Sequence, residues 1–201
     1  MKTRLFITQA CVLFMLLPLF SNAQIHLGTR HGVSMSTLSK TGDLYDNDEL
    51  KIAYTGGVFA QIHLKPSLTI QPEVNYICKG RSSENENSED ATLHYLQIPV
   101  LAGYEFGLNK SLSAYLNAGP FVAPLLKSEY KGISGSDINS NTDATDKKTD
   151  FGLIMGGGIL IPVNKVKIMI DLRYDLGLGK LDQQPEDFRT KALSLTTGIK
   201  F

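Results

Sequence analysis

The chain has 201 residues, with 20 basic and 20 acidic side chains and a formal net charge of +0. That length fits one domain with a substantial core or a small barrel. Balanced charge makes nucleic acid an unexpected partner, and no run of about 20 apolar residues offers a transmembrane helix.

Residues 1–23 read as a cleaved secretory signal peptide. Lys2 and Arg4 supply the positive start, residues 10–20 the short apolar run, and Ser21, Asn22 and Ala23 a small-x-small cleavage site. A helical anchor is the other reading, but the run is too short to span a bilayer. Cleavage after Ala23 leaves residues 24–201 as one barrel domain. Cys11 departs with the signal, and its flanks do not resemble a lipoprotein site. Cys78 then stands alone, so no internal disulfide is expected.

From residue 25 onward the sequence alternates apolar and polar with a period of two, the mark of a strand with two different faces. Eight strands are expected, at 25–37, 52–64, 68–79, 92–106, 112–127, 151–162, 166–179 and 190–201. The second carries Tyr54, Val58, Ala60, Ile62 and Leu64 on one face. The fourth carries Leu96, Ile98, Val100, Ala102, Tyr104 and Phe106. The seventh is the most regular, with Val166, Ile168, Ile170, Leu172, Tyr174, Leu176 and Leu178 against Lys167, Met169, Asp171, Arg173, Asp175, Gly177 and Gly179. The last reads Leu193, Leu195, Thr197, Ile199 and Phe201. Such strands exceed the five or six residues usual in soluble sheets and reach the roughly 9–11 needed to cross a bilayer at a tilt.

The connections alternate in length. Residues 65–67, 107–111 and 163–165 are tight turns, whereas 38–49, 80–91, 128–150 and 180–189 are long and polar. Short turns at one end and long loops at the other describe an eight-stranded antiparallel up-and-down transmembrane β-barrel, with both termini on the periplasmic side. The four long segments hold 16 of the 20 acids. The other four, Glu73, Glu105, Asp171 and Asp175, fall on polar strand faces, as do Arg30, Arg173 and Lys200. These seven are expected to form a paired charge network inside the lumen. Gly28, Gly32, Gly57, Gly103, Gly119, Gly152, Gly156, Gly158, Gly177, Gly179 and Gly198 share that face, with Gly56 and Gly157 as exceptions. An eight-stranded lumen just holds its side chains, so small residues are needed there. Pro72, Pro99 and Pro120 lie inside strands and should produce bulges or ladder gaps. His31 lies on an apolar face, which suggests a register slip in the first strand.

Several segments resemble the outer-membrane β-barrel proteins of Bacteroidetes-type bacteria that include PorT. They are the glycine-rich opening from Gly28 to Ser36, Tyr95-Leu96-Gln97-Ile98-Pro99, Ala118-Gly119-Pro120-Phe121, and Leu172-Arg173-Tyr174 with Gly177-Leu178. The resemblance runs through nearly all of the mature chain. It implies a porin-like barrel in the Gram-negative outer membrane, with a role in envelope assembly or secretion. Phe201 on an alternating strand resembles the signal read by the barrel assembly machinery.

No catalytic residue, cofactor site or metal site is assigned. The Gly156-Gly157-Gly158 run sits mid-strand and lacks the residues of a phosphate loop. His26, His31, His63 and His94 show no metal-ligand spacing, and the acidic loops read as solvated surface before divalent-cation sites. A rim enzyme could be drawn from His94, Asp175 and Ser82, and a soluble lipocalin-like barrel with an apolar lumen is the other alternative. The preferred reading is a non-enzymatic outer-membrane barrel. Its expected partners are outer-membrane lipid, the assembly machinery and an envelope protein engaged through the loops.

Overall fold

The chain's alternating stretches form eight long strands in the computed structural model. They are β1 (Ile25–Lys40), β2 (Glu49–His63), β3 (Leu68–Ser82), β4 (Asp90–Asn109), β5 (Leu112–Lys131), β6 (Thr149–Val163), β7 (Val166–Gly177) and β8 (Phe188–Lys200). The structure describes residues 24–40, 49–82, 90–109, 111–131, 137–138, 149–179 and 188–201. The signal-peptide reading of residues 1–23 and much of the four long loops lie outside them. A two-residue ladder, Asp137–Ile138, continues the pairing of β5 at Tyr130 and Lys131.

Each strand pairs antiparallel with its sequence neighbours, and β1 closes the ring against β8 from Gly28↔Lys200 to Lys40↔Phe188. A closed ring leaves no edge strand, and it satisfies the backbone internally, as a hydrocarbon environment demands. At the long-loop end most strands run two to four residues beyond the apolar alternation; β1 continues to Lys40 and β5 to Lys131. Backbone pairing needs no apolar face once a hairpin is established, so periodicity alone underestimates these ends. β7 instead stops at Gly177, short of the expected 179.

The apolar faces point outward. Leu27, Val58, Val100, Leu116, Leu153, Leu172 and Leu195 are exposed, while Arg30, Glu73, Gln97, Asp171, Arg173 and Thr196 are buried inside. A lipocalin-like barrel would have the reverse arrangement, and that alternative falls on this point.

The prolines leave gaps and keep the register. The β2–β3 ladder passes from Phe59↔Glu73 to Ile62↔Ile70 across Gln71 and Pro72 without a shift. The β4–β5 ladder likewise steps from Pro99↔Phe121 to Ala102↔Ala118 across Pro120. On its other side Pro120 sits in an unbroken β5–β6 ladder opposite Leu153. A proline lacks one N–H, which serves one neighbour only, so the interruption is one-sided. The register slip expected in β1 is absent. His31 stays on the outer face, where its Nδ1 lies 2.7 Å from the Tyr54 hydroxyl across the adjacent strand. That bond gives the polar ring a partner and removes the need for a bulge.

The inward glycines have a partly different cause from lumen filling. A Cβ on Gly119 would lie 2.0 Å from the Val100 carbonyl oxygen, and one on Gly32 would lie 2.1 Å from that of Leu195. The conflict is with neighbouring backbone, which approaches closely on the inside of a tightly curved wall. Gly119→Val is expected to destabilise by about 1–3 kcal/mol through forced strand displacement. Gly107→Ala, where nothing lies within 4 Å of the new Cβ, should be close to neutral. Urea titrations read by the heat-dependent gel shift would compare the two.

Candidate functional site

The lumen gathers the polar side chains into tiers, each set by its count along the strands. Near the short-turn end, Lys200 and Lys167 each reach Glu105 at 3.0 Å, and His63 lies 3.8 Å from the same carboxylate. The His26 and His63 rings meet edge to face at 5.3 Å, and His26 Nδ1 lies 2.9 Å from the Phe201 carbonyl oxygen. Phe201 itself is on the outer face and exposed.

Lys200 also donates to Gln61 at 2.6 Å, Gln61 donates to Gln71 at 3.2 Å, and Gln71 donates to Glu73 at 2.6 Å. This chain of amides leads to the central tier. There Arg173 holds Glu73 with two bonds, of 2.8 and 3.0 Å, and donates through Nε to Asp171 at 3.2 Å. Paired donors of this kind match guanidinium and carboxylate geometry. Asn75 also donates to Glu73, while Tyr115 and Thr196 donate to Asp171. Arg30 stands 3.5 Å from Glu73 and 3.7 Å from Asp171, with its guanidinium 5.2 Å from the Phe59 ring centroid.

Among the described residues, six of the seven expected charges therefore make ion pairs, but in two groups joined by neutral amides. Asp175 is the exception. It accepts from Gln97 at 2.8 Å, while Arg173 pairs with Asp171 and with Glu73, the latter 100 residues away in sequence. Of the two carboxylates on its own strand, Arg173 therefore takes Asp171 and leaves Asp175 to Gln97. Above them is a tier the sequence reading missed: Lys79 meets Asp150 at 3.2 Å and Thr190 donates to Asp150 at 2.8 Å. The Lys79 ammonium also faces Phe121 at 5.0 Å and Tyr95 at 5.7 Å. Lys79 shares its parity with Glu73, a signal that was available. Asp150 lies where the apolar pattern predicts a loop, because β6 begins two residues earlier than that pattern.

Apolar side chains fill the space between the tiers. Phe59, Tyr115, Leu160 and Met169 pack on the short-turn side, and Ile77, Leu93, Tyr95, Leu101, Phe121, Ala123 and Ile154 on the long-loop side. Buried charges are tolerable here because Glu73, Asp171 and Glu105 each accept from several donors.

The rim-enzyme arrangement does not assemble. Asp175 points into the lumen, whereas His94 is on the outer side, with its Nδ1 2.6 Å from the Tyr76 hydroxyl and 3.2 Å from Cys78 Sγ. The Ser82 side chain lies outside the described residues. Among the described residues no group of three or more His, Cys, Asp or Glu is arranged to hold a metal ion.

A family model described as outer membrane protein beta-barrel domain matches residues 20–183. Among solved structures, the chain is similar to Neisserial surface protein A, at 17% identity and a TM-score of 0.57, covering 90% of this chain and 100% of that one. It is also similar to the outer membrane protein OprG from Pseudomonas aeruginosa, at 12% identity and a TM-score of 0.50, covering 88% and 95%. A search of curated proteins returns no match.

Proposed function

The chain belongs to the outer membrane protein beta-barrel domain family, and from that premise we propose a closed outer-membrane barrel that works through its long acidic loops. It acts as a structural or interaction protein of the envelope and carries out no catalysis. The observation that carries this reading is the Arg173–Glu73 pair, held by two short bonds across the lumen. A passage for solutes would have to break it. With the interior occupied, the surface left for selective contact is the long-loop end, where most of the acids are concentrated. The Tyr95–Pro99 and Ala118–Phe121 segments support kinship with the PorT-containing group, and with it a part in envelope assembly or secretion. Insertion by the barrel assembly machinery, guided by Phe201, belongs to the same reading.

In planar bilayers the purified protein is expected to show no large, stable single-channel conductance. In cells, exchanging the acids of residues 132–148 for amides should leave the heat-dependent gel shift intact while failing to complement a deletion of the gene. Arg173→Lys, if folded, should complement. A stable open channel, or full complementation by the neutralised loop, would reject the proposal.

A further inference from the structure

Arg30 is central on the inward face of β1, with its side chain 4% exposed. Among the described residues, its Nε, Nη1 and Nη2 donate no hydrogen bond. Its neighbours explain why. Glu73 Oε1 already accepts from Gln71 and Arg173, and Oε2 from Asn75 and Arg173. Asp171 accepts from Arg173, Thr196 and Tyr115. Arg30 meets carboxylates that are already well supplied with donors, at 3.5 and 3.7 Å, close enough for charge attraction and too far for good hydrogen bonds.

Asn75 has the complementary deficit. Its Nδ2 serves Glu73, while its Oδ1 is buried and has no donor among the described residues. Both side chains line one cavity of about 10 Å³, together with Thr55, Gln97, Asp175 and Ser194. That is about the space of one water molecule. A guanidinium only donates and an amide oxygen only accepts. An anion would suit Arg30 and repel Asn75 Oδ1, and a cation would do the reverse. A small neutral molecule that accepts from one and donates to the other satisfies both.

We propose that this cavity is a structural water site, in which a single water accepts from Arg30 and donates to Asn75 Oδ1 and to the wall formed by Asp175. The water joins the Glu105–Lys200–Gln61–Gln71–Glu73 column to the Gln97–Asp175 pair above it, so the hydrogen-bonded filling continues through the middle of the barrel. This deepens the closed-lumen reading and rests on it. The two fail separately, since a barrel without this water can still be non-conducting.

The test is water-to-protein cross-relaxation on the isotope-labelled barrel in detergent micelles, read at the Arg30 Nε–H and assigned by its loss in Arg30→Lys. The expected result is a cross-peak with the sign of a water resident for longer than nanoseconds. Ser194→Val, which puts methyl groups on the cavity wall, should remove that peak and leave the gel shift unchanged; if this variant does not fold, Thr55→Val takes its place. Absence of a long-lived water signal at Arg30 in the unmodified protein would overturn the proposal. So would a displacement of the Arg30 resonance when chloride is exchanged for gluconate, which would make the occupant an anion. Persistence of the peak in a folded Ser194→Val or Thr55→Val barrel would put the water elsewhere and also overturn it.

Discussion

Ile170→Arg is expected to destabilise the folded barrel by about 2–4 kcal/mol, measured by reversible urea unfolding in phospholipid vesicles. Ile170 is exposed on β7, in the middle of the outward run Ile168, Ile170 and Leu172. Its ladder neighbours are Ile159 on β6 and Thr197 on β8, neither of which carries a charge to pair with a guanidinium. In lipid the new side chain must stretch toward the headgroups or draw water inward, and the cost of either is greatest near the midplane. Ile170→Ala, which removes apolar contact and adds no charge, should cost less. A harmless Ile170→Arg would mean that the outward face of β7 does not meet hydrocarbon.

The barrel was legible in the sequence because a strand in lipid must be apolar on one side at every second residue, and the chain keeps that rule through eight segments. Orientation of the faces was legible from where the charges fell: Glu73, Asp171 and Arg173 cannot face hydrocarbon unpaired. Pairing was not legible. Parity puts Arg173 beside Asp171 and Asp175 on one strand, but which carboxylate takes the guanidinium depends on what lies across the lumen. Closure of the ring brings Glu73 there, and the supporting Gln71, Asn75 and Tyr115 carry no charge to draw attention. The same limit hid the Lys79–Asp150 tier, whose members sit where the apolar pattern fades. His31 is the converse case: its polar ring stays on the outer face because the hydroxyl of Tyr54 on the adjacent strand meets it, a contact that alternation along one strand does not display.

Arg173→Ala should cost more than the removal of an ordinary side chain, of order 3–5 kcal/mol, because it strands buried carboxylates. Glu73 would keep its bonds from Gln71 and Asn75, and its nearest remaining cation would be Arg30 at 3.5 Å. Arg30 would be drawn into the space, which offsets part of the loss and makes the two arginines energetically coupled. If the stranded charge is the cause, Glu73→Gln in the same chain should relieve it. The double variant should then cost less than the two single costs added together, by about 0.5–3 kcal/mol. Asp175→Asn should relieve Arg173→Ala far less, since the donor to Asp175 is Gln97. Arg173→Lys should fall between, because a lysine supplies the charge without the paired donors that match Glu73 and the third that reaches Asp171. Strictly additive costs for Arg173→Ala and Glu73→Gln would reject the paired lumen, since a stranded charge cannot cost the same once it has been removed.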